Sequence, residues 1–311
     1  MAAAAAPAPS PRRWRSRTWR APLRRLGLAI VVAVAAPAAI GEPTLFDAHL
    51  HYKSLDADAL PPEQIIALLR THGTQCALIT GTPPELVDRL YAAAPERIVP
   101  MLGVYQHWRD KEDWLDDATL PAQVETDLAR GIYRAIGELH VFANDRAHPV
   151  LLRIAELAAE RGLVLMVHGD IEVIDTLLAR FPELVILWAH LGTDPRPEAI
   201  RAALTRHPTR LYADTSVRDA RFTDRDGRLR ADWRALFVDH SERIVIGVDT
   251  FWTRRWRQYG QVADEIRAWL TQLPEDVQTR LAFSNAHALF APNGAPQTCA
   301  AARRTRPSDT E

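Results

Sequence analysis

The residues of this chain that could do chemistry stand at the ends of apolar runs. Asp47-Ala48-His49-Leu50-His51 follows Leu45-Phe46. Residues two apart on a strand share a face, so His49 and His51 point to one side while Ala48 and Leu50 pack on the other. Two imidazoles on one side can share a cation through their ring nitrogens. Four further groups of ligand type end similar runs: Glu138 after Ala-Ile-Gly, His168 after Leu-Val-Leu-Met-Val, His190 after Leu-Val-Ile-Leu-Trp-Ala, and Asp249 after Ile-Val-Ile-Gly-Val. Any one of these reads equally well as a hydrogen-bonded rim residue. Their recurrence at five strand ends reads differently, because burying such groups unpaired is costly and a bound metal supplies the missing partner.

Positioning these groups requires strands that all end on one side. From residue 43 short apolar runs alternate with longer amphipathic segments, the rhythm of βα units in a parallel sheet. Eight strands are expected, over 44–50, 76–81, 97–104, 133–139, 163–168, 184–191, 210–215 and 243–248. Helices between them carry apolar residues at three- and four-residue intervals, as in Leu151, Ile154, Ala155, Leu157 and Ala158. Gly162, Pro182 and Pro208 stop helices ahead of strands. Eight repeats in order favour a closed α/β barrel, the (β/α)8 TIM barrel, over a doubly wound sheet. The longest connections follow strands 3, 7 and 8, on the side where barrels carry their active sites.

With these anchors in view, the sequence resembles the amidohydrolase superfamily, and within it the amidohydrolase-related metal-dependent hydrolases. The resemblance covers about residues 44–290 and rests on Asp47-Ala48-His49-Leu50-His51, Gly137-Glu138, Val167-His168-Gly169-Asp170, Trp188-Ala189-His190-Leu191-Gly192, Gly247-Val248-Asp249-Thr250 and Asn285-Ala286-His287-Ala288-Leu289-Phe290. It implies that His49, His51, His168 and Asp249 hold a catalytic metal, and that His190 binds a second metal or contacts substrate. Two departures stand out. No lysine lies on strand 4 to bridge two ions, which leaves Glu138 as the bridging candidate: with such a bridge His49, His51 and Asp249 hold one ion and His168 and His190 the other, and without it His168 joins the first. Ala288 replaces an arginine common in the closing motif. Three imidazoles and a carboxylate with an open position suit zinc, one ion or two.

The expected chemistry is hydrolysis of a small-molecule ester, lactone, amide or cyclic amide by a metal-activated water, with Asp249 as proton carrier and His190 stabilising the oxyanion. Non-oxidative decarboxylation of an aromatic or unsaturated acid is an alternative on the same framework. A silent binding protein is another, although the full ligand set speaks against it. Trp252, Arg254, Trp256 and Tyr259 on the loop after strand 8, with Arg218 and His107 on other long loops, are the substrate-binding candidates. His140 shares the face of Glu138.

Composition narrows the partners. Among 311 residues the Lys and Arg total is 38 against 39 Asp and Glu, and only Lys53 and Lys111 are lysines. Seven arginines and no acid precede Glu42, so the body beyond carries a net charge of −8 where the whole chain carries −1. An acidic body without a basic stripe excludes nucleic acid as the main partner. A small-molecule substrate remains, and a homo-oligomer is compatible. Residues 1–38 read as a signal peptide, with a basic stretch through Arg25, an apolar stretch from Leu26 and a small-residue site at Ala36-Pro37-Ala38. The mature protein is then periplasmic with no stable membrane span. An uncleaved anchor is the alternative. Residues 291–311 read as a loose tail, and Cys76 and Cys299 give no disulfide framework, Cys76 reading as a small core residue.

Overall fold

The computed structural model describes residues 42–290 and Cys299. The amino-terminal address expected over residues 1–38 and the rest of the tail lie outside the described residues. Eight parallel strands run in sequence order around a barrel: β1 Leu45–Lys53, β2 Thr74–Thr82, β3 Ile98–Leu102, β4 Ala135–Val141, β5 Val164–Gly169, β6 Val185–Trp188, β7 Leu211–Asp214 and β8 Ile244–Val245. The eighth ladder is shorter than the sequence suggests. Residues 246–249 nevertheless run beside β1, where Ala48 N–H donates to Ile246 O at 2.9 Å and Asp249 N–H donates to His49 O at 2.8 Å. These main-chain bonds join the last strand to the first.

Each βα unit forms for local reasons. In the helix Pro149–Glu160, proline takes a first-turn position that needs no donor, and the His148 imidazole accepts from Val150 N–H at 3.3 Å. Val150, Leu151, Ile154, Ala155, Leu157 and Ala158 make its buried face. Gly162 then reverses the chain at φ 62° before the strand begins. Each large aliphatic side chain buried in this way stabilises the fold by roughly 1.5–3 kcal/mol. Among the described residues, no helix is long and apolar enough to cross a membrane.

Inside the barrel, side chains two apart along the strands pack together, including Phe46, Ala48, Cys76, Leu78, Val99, Met101, Val164, Met166 and Leu187. Ala48 therefore lies inside with Phe46, not outside with Leu50. The pairing of β1 with β2 is irregular between Asp47 and Leu50, and this offset breaks the strict alternation that the sequence implies.

The closing motif seals the opposite end from the catalytic candidates. Asn285 Nδ2 donates to Ser241 O at 2.7 Å and Ile244 O at 2.8 Å, while Phe46 packs on Phe283 and Phe290 with ring centroids 6.0 Å away in each case. Ala288 is exposed on this face, so the missing arginine bears on packing at the floor and not on the mouth. Cys76 lies buried in the core, and it forms a disulfide with Cys299 here, which corrects the expectation that the two cysteines make no disulfide. The bond pins the tail to the floor across 223 residues of chain, and Cys299 N–H donates to Glu96 O at 2.9 Å.

Protein prepared in an oxidising compartment should show no reactive thiol when denatured without reductant. Cys299→Ser should lower the unfolding free energy by about 2–4 kcal/mol, the usual worth of a disulfide that closes a long loop. Thiol titration and denaturant unfolding check both outcomes.

Candidate metal centre

The centre begins where β1 meets the segment after β8. Asp47 is fully buried, and its Oδ1 accepts from His49 N–H and Val248 N–H, both at 3.1 Å. Its Oδ2 accepts from the Tyr259 hydroxyl at 3.0 Å. Burial pushes the Asp47 pKa up to about 7 against the pull of these donors. One carboxylate thus ties two strands at the level of the first histidine. One step up, the Thr250 hydroxyl accepts from His51 N–H at 2.9 Å, and the Trp256 indole donates to His51 O at 3.0 Å.

These bonds correct two substrate-binding candidates. Trp256 and Tyr259 are fully buried and work from beneath β1, because the helices Thr253–Arg257 and Tyr259–Leu270 turn their inner faces to the barrel wall. Arg218 is also committed to backbone, with Nε donating to His190 O at 3.0 Å and Nη2 to Gly192 O at 3.3 Å. Trp252 and Arg254 are exposed on the loop after β8, and His107 is exposed on the loop after β3.

Three groups from β1 and the β8 end face one point. His49 Nε2 and His51 Nε2 stand 3.2 Å apart, and Asp249 Oδ1 lies 3.9 Å from the first and 3.4 Å from the second. Asp249 Oδ1 is buried without a hydrogen-bond partner. His49 Nδ1 is engaged from behind by Asp214 Oδ2 at 3.0 Å, so its protonated nitrogen faces away from the cluster and its lone pair faces inward. Burial opposes charge on His49, yet Asp214, Asp249 and Glu138 together hold its pKa well above the ordinary value. His51 responds in the other direction, where burial wins over Glu138 and Asp249 and pushes it down to about 4. Burial likewise resists charge on Asp214, but His49 holds its carboxyl down to about 2.

Glu138 is the hub of the other half. Its Oε1 meets His168 Nδ1 at 2.9 Å and His190 Nε2 at 3.0 Å, and its Oε2 lies 3.4 Å from His51 Nε2 and 3.6 Å from His140 Nε2. His168 therefore sits with Glu138 and His140, apart from the His49, His51 and Asp249 group. The His140 ring stacks on His168 with centroids 4.5 Å apart. Burial would raise the Glu138 pKa, but His140, His49 and the bonds from His168 and His190 keep it well below the usual carboxylate range. Burial lowers His140 to about 3, despite Glu138.

Backbone held in an unusual region supports these positions. His190, Leu191 and Asp249 have φ of 59°, 57° and 57°, values that side chains with a Cβ adopt at a cost. Gly192 follows at φ +82°, and a Cβ there would come within 2.1 Å of the Trp188 ring. Arg218 clamps the first turn through its carbonyls, and Arg255 clamps the second, with Nη2 donating to Val248 O at 2.9 Å and Nε to Asp249 O at 3.2 Å.

Sequence reasoning missed Asp214 and Ser216, which follow Tyr212-Ala213 at the end of β7 in the same pattern that singled out Asp249. Ser216 Oγ bonds to Asp214 Oδ1, lies 2.7 Å from His190 Nδ1 and 3.3 Å from His49 Nδ1, and so aligns both rings. It also passed over Tyr105, whose hydroxyl accepts from His140 N–H at 2.9 Å.

The chain is 27% identical over 155 residues to a dihydroorotase of Azoarcus sp. (strain BH72), a match covering 40% of this chain and 41% of that protein, so it spans well under half the length of that curated relative. Its fold is similar to that of a Burkholderia multivorans amidohydrolase crystallised with bound zinc, at 16% identity and a TM-score of 0.54, covering 79% of this chain and 99% of the other. It is also similar to a Pseudomonas putida protein provisionally described as 2-pyrone-4,6-dicarboxylic acid hydrolase, at 17% identity and a TM-score of 0.54, covering 80% and 97%. The amidohydrolase family model matches residues 31–291, and with most of the chain inside that match the protein belongs to the amidohydrolase family.

Proposed function

We propose that this protein is a metal-dependent hydrolase of a small-molecule ester, lactone, amide or cyclic amide. The observation that carries the reading is the convergence of His49 Nε2, His51 Nε2 and the unpartnered Asp249 Oδ1. Two imidazole lone pairs 3.2 Å apart beside a buried carboxylate oxygen require positive charge between them. The donor set fits a divalent cation, with His49, His51 and Asp249 as its holders and Glu138 Oε2 facing the same point. Nitrogen and oxygen donors of this kind suit zinc. Such an ion, when bound, lowers the pKa of a water toward neutrality and polarises a carbonyl.

The remaining steps fall to side chains of this chain. Asp249 takes the proton of the attacking water and passes it to the leaving group, since its Oδ1 faces the cluster and its Oδ2 lies 4.0 Å from His190 Nε2. Ser216 Oγ lies 2.7 Å from His190 Nδ1 and turns Nε2 of that ring toward the substrate side. A proton on Nε2, shared with Glu138 Oε1 at 3.0 Å, places His190 to stabilise the developing oxyanion. Glu138 fixes His168 and His190 from one oxygen, and its other oxygen reaches His51, a geometry that supports Glu138 as a bridge to a second ion among Glu138, His140 and His168. The proposal includes export, supported by the basic and apolar address of residues 1–38 and by the Cys76–Cys299 disulfide, a bond that persists in oxidising compartments.

His51→Ala should reduce the metal content of purified protein, and chelation of the wild type should abolish turnover in a screen of esters, lactones and amides. Full turnover in chelated, metal-free protein would sink the reading, and release of carbon dioxide without hydrolysis would replace it with decarboxylation. Asp249→Asn should lower kcat by about 10²–10⁴-fold, the usual range for a lost general acid–base. Asp214→Asn keeps the shape but loses the charge behind His49, so metal affinity measured against a chromophoric chelator should fall by about 10–100-fold.

A further inference from the structure

The only two lysines of the chain, set among 38 basic residues, both stand at the mouth of the barrel. Lys53 ends β1, two residues beyond His51, and its Nζ donates to Phe251 O at 2.6 Å. Lys111 lies on the loop after β3, and its Nζ donates to His140 Nε2 at 3.0 Å. Neither ammonium has a carboxylate within ion-pair distance among the described residues, although the arginines of this protein pair freely. Each has one acceptor among the described residues and two further N–H groups to offer.

Charge accounting at the centre gives these lysines a task. Asp214, Asp249 and Glu138 bring three negative charges around His49. A divalent cation leaves one negative charge, and two ammonium groups turn that into one positive. The surroundings are apolar. The exposed large hydrophobic side chains among the described residues are Leu55, Trp108, Phe142, Phe251 and Trp252, and every one follows the carboxyl end of a strand on the mouth side. Phe142 sets its ring edge-on to His168 at 6.4 Å between centroids.

We infer that Lys53 and Lys111 form a receptor for a carboxylate carried by the substrate, and that the aromatic rim takes the apolar body to which that carboxylate is attached. The substrate class is then a carboxylate-bearing, apolar ester, lactone or amide. The inference rests on the hydrolase reading for the reacting bond, but anion recognition is measured without turnover. The probe is homophthalate, an aromatic dicarboxylate, titrated calorimetrically into metal-loaded protein beside its neutral dimethyl ester. Homophthalate binds at least about tenfold more tightly than the diester, and Lys53→Met and Lys111→Met each weaken it by about tenfold, the effect of one lost charge-assisted bond. Neither variant changes binding of the diester. Lys53→Arg and Lys111→Arg retain most of the affinity, which separates lost charge from lost folding. Failure of the wild type to prefer homophthalate overturns the inference. So does homophthalate affinity unchanged in both methionine variants at wild-type metal content, since the carboxylate is then held elsewhere. If the hydrolase reading fails, the turnover screen is silent while the lysine-dependent binding persists.

Discussion

Three carboxylates from three different strands converge on one buried imidazole. Asp214 behind His49, and Glu138 and Asp249 in front of it, are all buried, and a carboxylate taken out of water without compensation costs several kcal/mol. The fold answers with donors. Ser216, His168 and His190 hydrogen-bond to these oxygens, and positive charge on or beside His49 balances the rest. Asp249 Oδ1 is buried and left without a donor, and that unmet demand is what the proposed cation would answer. The loops of the mouth can vary in shape, but each must preserve this convergence or strand a charge in the interior.

Parallel strands make the convergence available. Because every strand runs the same way, residues at eight carboxyl ends reach a single space, and the barrel interior below them is filled by apolar side chains. The junction of first and last strand is the delicate part, with β8 contributing a ladder of only two residues. Asp47 replaces some of the missing ladder by gripping both strands from inside the wall. Tyr259 and Trp256 brace that junction from outside, which is why two aromatic residues so close to Asp249 in sequence serve β1 and not the substrate. Stability is served at the other end, where the closing helix, the Phe46 cluster and the disulfide lie.

Much of this was legible in the sequence, for physical reasons. An apolar strand followed by a lone His, Asp or Glu is a local pattern, and so is a proline-initiated helix with apolar residues on one face, which is why the eight βα units and six of the groups in the centre could be read directly. Direction and register are not local. Ala48 faces inward because β1 slips against β2 at that point, and the order of residues cannot show a slip between strands. Which of the two groups His168 joins could not be read either, because position around the barrel depends on the circumference that all eight strands set together. Cys76 and Cys299 meet across 223 residues with no nearby signal. Asp214 carries the same local signal, since it follows Tyr212-Ala213 in a short apolar run, but that it comes to lie behind His49, 165 residues away in the chain, is set by the closed barrel and not by local order.

The division of labour between the two basic residue types follows from their shapes. Arginine offers a planar fork that can satisfy two carbonyls at once. Arg210, just before β7, donates to Leu178 O at 3.1 Å and Phe181 O at 3.0 Å, and Arg243, just before β8, donates to Leu204 O at 2.5 Å and His207 O at 3.1 Å. Both pairs of carbonyls lie at the end of the helix that leads into the preceding strand, where the last turn leaves acceptors without intrahelical partners. Arg218 and Arg255 do the same for the left-handed turns at the mouth. In each case the guanidinium is consumed by backbone and becomes part of the wall. An ammonium on a flexible stem closes no such pair of acceptors here: Lys53 Nζ donates to one carbonyl and Lys111 Nζ to one imidazole nitrogen. A chain that uses arginine almost everywhere and lysine only at Lys53 and Lys111 has therefore separated cations that build the barrel from cations left available to a ligand.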